Sequence, residues 1–126
     1  MFANRNATAM IPAKDLDRAK KWYEEKLGLK PADDMGEMGA IYKLAGVKAF
    51  LYVSQYAGTA GHTILTFDSP DLVADMAKLR EKGVTFLDYD LPDLKTVNGV
   101  VDWGEGIKTS WTKDSEGNIL GLSEGM

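Results

Sequence analysis

The chain has 126 residues, no cysteine and a formal charge of −4 from 15 basic and 19 acidic side chains. Its 44% apolar and 27% charged content is that of a soluble globular domain, long enough to bury a core without a disulfide or metal staple. The lack of cysteine excludes disulfides, thiolate metal sites and a cysteine nucleophile, and an acidic chain without a basic stripe is a poor partner for nucleic acid.

In chain order, MFANRNATAM has no hydrophobic signal core with a cleavage site, and no later apolar run approaches the roughly 18 residues that span a bilayer. A soluble, unexported, cytoplasmic protein is expected. Residues 7–13 (ATAMIPA) read as a strand with Pro12 at its margin, where a missing ladder donor is tolerated. Asp15 stands at an N-cap position. Leu16, Ala19, Trp22, Tyr23 and Leu27 then recur at helical steps, and Gly28 is the left-handed stop. A short strand is expected near 30–33. GAIYKL (39–44) and KAFLYV (48–53) read as strands joined at Ala45-Gly46-Val47, and the small, polar SQYAGTAG (54–61) as a connection.

The same plan then repeats. His62 to Phe67 reads as a strand. Ser69-Pro70-Asp71 reads as a helix start with Ser as cap and Pro in the first turn. Leu72, Val73, Met76 and Leu79 form the stripe to be buried, ending at Gly83. Val84 to Asp88 is predicted as a strand and 89–98 as a loop. Residues 99–103 and 107–111 are predicted as strands around Gly104-Glu105-Gly106. Asp114 to Asn118 is turn chemistry, and Ile119 to Leu122 closes the chain as a strand. The Asp-Leu pairs Asp15-Leu16 and Asp71-Leu72 mark equivalent points of the two halves. Such self-similarity predicts one domain built from two pseudo-repeats, at about 6–54 and 62–124.

This duplicated βαβββ order resembles the vicinal oxygen chelate superfamily, which includes glyoxalase I, bleomycin-resistance proteins, extradiol dioxygenases and fosfomycin-resistance enzymes. IPAKDLDRAKKWYEEKLGLK is similar to the family's strand, Asp-Leu, helix and Phe/Tyr-Tyr pattern. KDSEGNILGL is similar to its closing Asp-Pro-x-Gly-Asn hairpin, with Ser115 where proline is usual. Trp103-Gly104 resembles the bleomycin-resistance branch. The resemblance covers nearly the whole chain. It implies an α+β fold of two tandem βαβββ modules, with a curved, mostly antiparallel sheet around a cleft and helices outside. One scaffold of this kind hosts many chemistries, so fold is implied more narrowly than function.

In metal-dependent members, four side chains point into the cleft. By the resemblance these positions fall at Thr8, Tyr52, His62 and Gly121, and only His62, the single histidine, keeps a metal-binding side chain. A divalent ion in a catalytic site is usually held by three or more protein ligands. No metal or other cofactor is therefore expected. His62 has three readings: a polar residue at a strand start, a binding group or general base at the cleft, or a metal ligand.

Strand alternation puts Phe50 and Tyr52 on the cleft face, with Leu51 and Val53 toward the helix layer. It also gives His62, Ile64 and Thr66 a common face, with Trp103 and Trp111 on the opposite wall. The expected ligand-binding set is Thr8, Phe50, Tyr52, His62, Trp103 and Trp111, an aromatic-walled pocket with a few polar points. The competing reading is that these rings fill the core, as is expected of Trp22. Asp33, Asp34, Asp88, Asp90 and Asp93 read as solvated turn residues, while Glu37 and Glu105 are candidates for a cleft mouth. GTAG and WGEG lack phosphate-loop spacing, and no GxSxG nucleophile elbow occurs.

The leading expectation is a metal-independent protein that sequesters a small aromatic or apolar molecule, as a homodimer, because open sheet edges favour pairing. The alternative is a metal-dependent lyase, isomerase or dioxygenase of the glyoxalase type built on His62. A third option is a non-catalytic partner subunit.

Overall fold

The computed structural model describes residues 1–126. The first half runs β1 (Thr8–Ala13), α1 (Leu16–Leu27), β2 (Asp33–Asp34), β3 (Ala40–Lys43) and β4 (Lys48–Val53). The second runs β5 (Thr63–Asp68), α2 (Leu72–Glu81), a small hairpin of β6 (Asp90–Leu91) and β7 (Leu94–Lys95), then β8 (Val101–Gly104), β9 (Ile107–Lys113) and β10 (Ile119–Glu124). Each half makes a four-stranded sheet, in the orders β1-β4-β3-β2 and β5-β10-β9-β8. The first strand of each half pairs parallel with the last, and the other pairings are antiparallel. This is the α+β, twice-repeated βαβββ architecture.

Local chemistry fixes both helices. The Asp15 carboxylate accepts from the Arg18 amide at 3.0 Å, and Gly28 ends α1 at φ 69°. α1 buries Ala19 and Tyr23 against Ile11, Ala13, Tyr42 and Leu51 of the first sheet. Leu72 and Met76 of α2 bury with Val84, Phe86 and Leu122. Trp22 packs against both clusters, and Leu120 of the second sheet belongs to the first cluster. The two cores are therefore joined by side chains from either half.

The stronger join is polar and sits at the β9–β10 turn. Asp114 is buried, and its carboxyl accepts from the Tyr23 hydroxyl at 2.6 Å, from the Glu116 and Asn118 amides at 2.8 and 2.9 Å, and from the Asn118 side chain at 2.9 Å. Asn118 also donates to the Pro12 carbonyl at 2.8 Å and accepts from the Gly58 amide at 3.0 Å. Glu116, buried as well, accepts from the Lys14 and Asp15 amides, each at 2.9 Å, and from the Arg18 guanidinium at 2.8 and 3.0 Å. One turn of the second half thus holds the β1–α1 junction of the first. Burial and the neighbouring Asp114 push the Tyr23 phenol far above its usual range. For Glu116, burial alone would raise the carboxyl, but the hydrogen bonds from Arg18, Asp15 and Ser115 outweigh it and bring it to about 2.

Several expected elements differ. The early strand lies at Asp33–Asp34 rather than near 30–33, followed by a 3-10 turn at Gly36–Met38. α2 begins at Leu72 with Asp71 as its cap, accepting from the Ala74 amide at 3.1 Å; Ser69 instead donates to Asp75 at 2.6 Å. Val73 is 61% exposed, so it does not belong to the buried stripe. Val84 to Asp88 is not a strand. Val84 and Phe86 are turned into the α2 core, leaving a single bridge from Phe86 to Thr112. The expected loop at 89–98 contains the β6–β7 hairpin, reversing at Pro92-Asp93. No helix is long and apolar enough to cross a membrane.

Asp114→Ala should cost about 3 to 5 kcal/mol in urea unfolding, because the buried Tyr23 hydroxyl, the Asn118 side chain and two amides lose their acceptor together. Glu116 predicts a distinct acid response. Its folded value of about 2 lies below the ordinary 4.5, so its stabilisation is complete above about 4.5 and is lost as pH falls through about 2. The parent should exceed Glu116→Gln by about 2 to 3 kcal/mol at neutral pH, a figure limited by the exposure of Arg18. Unfolding curves should converge as the acid limit is approached.

Candidate functional site

The strand register sorts the first sheet's open face into rows. Ile11, Ala13, Ala49, Leu51, Ala40 and Tyr42 point to the helix side and are buried. The alternate residues therefore face the other way. Across β1, β4 and β3, Thr8, Lys48 and Lys43 form one row, and Met10, Phe50 and Ile41 the next, with Tyr52 opposite Pro12 beyond them. The Phe50 and Tyr52 rings lie nearly parallel, 8° apart in plane with centroids 6.3 Å apart. Both are half-buried, and Met10 beside them is 50% exposed. Neither ring belongs to the buried core cluster on the helix side of the sheet. Val53, expected toward the helices, is 57% exposed at the end of β4.

The second sheet offers a matching face. Thr66 of β5, Gly121 of β10 and Trp111 of β9 are register partners in one row. Tyr89 meets Trp111 edge to face at 5.4 Å. The Trp103 indole donates to the Thr109 hydroxyl at 3.1 Å, and Thr109 lies two residues from Trp111 on the same face. A register shift between Asp102 and Gly104 re-aims the strand at Trp103, which stays 51% exposed.

The four positions that the resemblance assigns to a metal do not converge. Thr8 is opposite Lys48 and Tyr52 is opposite Pro12, four places along the same pair of strands, or roughly 13 Å. His62 precedes β5 instead of opening it. It is exposed, its Nδ1 is 3.0 Å from the Thr63 carbonyl, and it borders a small recess with Lys113 and Asn118. A Cβ at Gly121 would stand 2.8 Å from the Thr66 Oγ1 and 3.4 Å from the Thr63 Cγ2, so a donor side chain there must displace Thr66. Nowhere do three or more His, Asp or Glu side chains gather as a metal site would need. The residues present do not fit a resident ion. Of the six expected binding residues, Phe50 and Tyr52 are adjacent and Trp103 and Trp111 share a face, while Thr8 and His62 stand at the ends of different sheets.

Sequence reasoning missed Met10, Ile41, Tyr89 and Thr109 on these faces. Alternation from Phe50 could have found Ile41 and Met10 only with the register in hand. Tyr89 reaches Trp111 because its segment crosses beside β9, where the Leu87 amide donates to the Trp111 carbonyl at 2.8 Å. Neither aromatic face lines an enclosed cavity within one chain.

The Glyoxalase/Bleomycin resistance protein/Dioxygenase superfamily model matches residues 6–89, and the chain belongs to that superfamily. No curated protein sequence matches it. Among solved structures, that of UcmS2 is 22% identical with a TM-score of 0.74, covering 94% of this chain and 96% of its own. A glyoxalase/bleomycin resistance protein from Catenulispora acidiphila is 22% identical with a TM-score of 0.69, at the same coverage of 94% and 96%. A lactoylglutathione lyase from Agrobacterium tumefaciens is 15% identical with a TM-score of 0.73, covering 97% of this chain and 94% of its own. At such identities the likeness is one of fold.

The tight fit around Gly121 is testable by substitution. Gly121→Ala should lower stability by about 1 kcal/mol in urea unfolding, and adding Thr66→Ala should recover most of that loss. Additive losses in the double variant would show that Thr66 is not the obstacle.

Proposed function

We propose that this member of the superfamily binds a small, planar aromatic or apolar molecule without a metal ion, as a homodimer, and that it acts by holding its ligand. The observation that carries this reading is the Phe50–Tyr52 pair. Two parallel, half-buried rings with half-exposed Met10 beside them form a stacking surface, and an apolar surface left partly open in this way commonly marks a binding face. Trp111, Tyr89 and Trp103 on the second sheet supply a comparable wall.

A homodimer follows from the incompleteness of each face. A ligand pocket normally covers most of its occupant, and a single chain leaves both surfaces open. Setting the first sheet of one protomer opposite the second sheet of another would close aromatic walls on both sides, by a symmetric contact used twice. Thr8 and His62 would then serve as polar points at the ends of the cleft. The chemistry of the donor set supports metal-free binding: a hydroxyl at Thr8, a phenol at Tyr52, one imidazole, and no side chain at Gly121. A lyase, isomerase or dioxygenase mechanism would need additional donors brought from loops.

Two titrations check this reading. Planar aromatic compounds should quench the Trp103 and Trp111 emission saturably, and Tyr52→Ala should weaken that binding about tenfold, the loss of roughly one aromatic stack. Nickel, zinc, manganese and iron(II) added to stripped protein should leave the melting temperature unchanged. A specific ion at a hundredfold excess over its dissociation constant would instead stabilise by about 2.7 kcal/mol. A shift of that size abolished by His62→Ala would return the enzyme reading to the front.

A further inference from the structure

We propose that the ligand carries an oxyanion, a phosphate or carboxylate, seated in a basic recess at the end of the first sheet's aromatic face. The inference rests on the reading of that face as a binding surface and names the class of molecule it takes. The recess lies where the chain entering β1 meets the β3–β4 turn. It measures about 580 Å³ and is lined by Arg5, Asn6, Lys43 and Lys48 together with small and apolar residues of the turn. No acidic side chain lines it, although acidic residues outnumber basic ones in the chain, 19 to 15.

Three observations point to an anion. First, Lys43 and Lys48 are direct cross-strand partners, so their side chains leave the sheet on one face roughly 5 Å apart at Cβ. Like charges so placed repel, and an anion seated between them would relieve that repulsion. Second, none of the three cations is compensated within the chain. The ion pairs use Arg18, Lys20, Lys21 and Lys30 instead. Arg5 rests on the Phe2 ring, 5.3 Å from its centroid, which leaves its guanidinium fork without a carboxylate. Third, the cationic row continues into the aromatic one. Thr8, Lys48 and Lys43 are followed, two residues along each strand, by Met10, Phe50 and Ile41. A molecule with a ring over Phe50 and Tyr52 would place a charged substituent one row away, against the two ammonium groups and the Thr8 hydroxyl.

Titration of the full-length, ¹⁵N-labelled protein with phenyl phosphate, benzoate, inorganic phosphate and benzyl alcohol tests this. Amides of Ala7, Lys43, Val47 and Phe50 report on the recess and the adjoining ring. Phenyl phosphate or benzoate should bind at least about tenfold more tightly than benzyl alcohol. The double variant Lys43→Gln/Lys48→Gln should lose that preference while binding benzyl alcohol as before. Its unliganded melting temperature should equal or exceed the parent's, since a repulsion is removed. The relative response to phenyl phosphate and benzoate tells which oxyanion is preferred. Equal affinity for charged and neutral ligands, or a preference that survives both the double variant and the further change Arg5→Gln, overturns the anion site and leaves the aromatic face standing. Inorganic phosphate bound through the lysines with benzyl alcohol inert supports the anion site and removes the stacking reading. A change of oligomeric state in the double variant with no phosphate response overturns the proposal by assigning the lysines to a contact between copies.

Discussion

The buried turn from Asp114 to Asn118 sets the arrangement of everything else. Its carboxyls and amide reach Tyr23, Pro12, the start of α1 and Gly58, all outside the second sheet. Without that turn the two modules would share the packing of Trp22, Leu120 and their neighbours and an exposed hydrogen bond from Lys26 to the Lys82 carbonyl. Apolar packing is forgiving of small rotations, whereas a carboxyl accepting four directed hydrogen bonds is not. Polar groups at this depth are costly if left unpaired, so the network also penalises alternative arrangements of the halves.

That rigid join matters because it fixes where the open faces point. Each sheet spends its helix side on a core and leaves its other side available. In the first sheet that side grades from cationic, through apolar, to aromatic. In the second it carries indoles and hydroxyls around a bare glycine. Gly121 is central to the comparison with metal-dependent relatives. A side chain there would meet the Thr66 hydroxyl at 2.8 Å from its Cβ, so Thr66 would have to move to admit one. Trp111 lies beside Gly121 in the same row.

The fold was legible in the sequence because its signals were local and repeated. The Asp15 cap, the Gly28 stop and the Asp114–Asn118 turn each depend on a few neighbouring residues. Boundaries slipped where tertiary packing overrode local preference. Val84 to Asp88 has strand composition, but α2 claims Val84 and Phe86. Ser69 and Pro70 look like a helix start, but Asp71 is better placed to reach the Ala74 amide. The site was legible only in part. Alternation sufficed to place Phe50 with Tyr52, since it concerns one strand. The row joining Lys43, Lys48 and Thr8 depends on the register of three strands, and the role of Glu116 depends on a partner 98 residues away. Neither spacing appears in a window along the chain.

The central proposal is a cleft that stacks its ligand and holds no ion. Crystals grown with nickel and a planar aromatic acid, measured across the nickel absorption edge, test that claim most directly. Ring density is expected over Phe50 and Tyr52, with no anomalous peak between the facing sheets. A strong peak there, coordinated by His62 and carboxylates of either protomer, would contradict it.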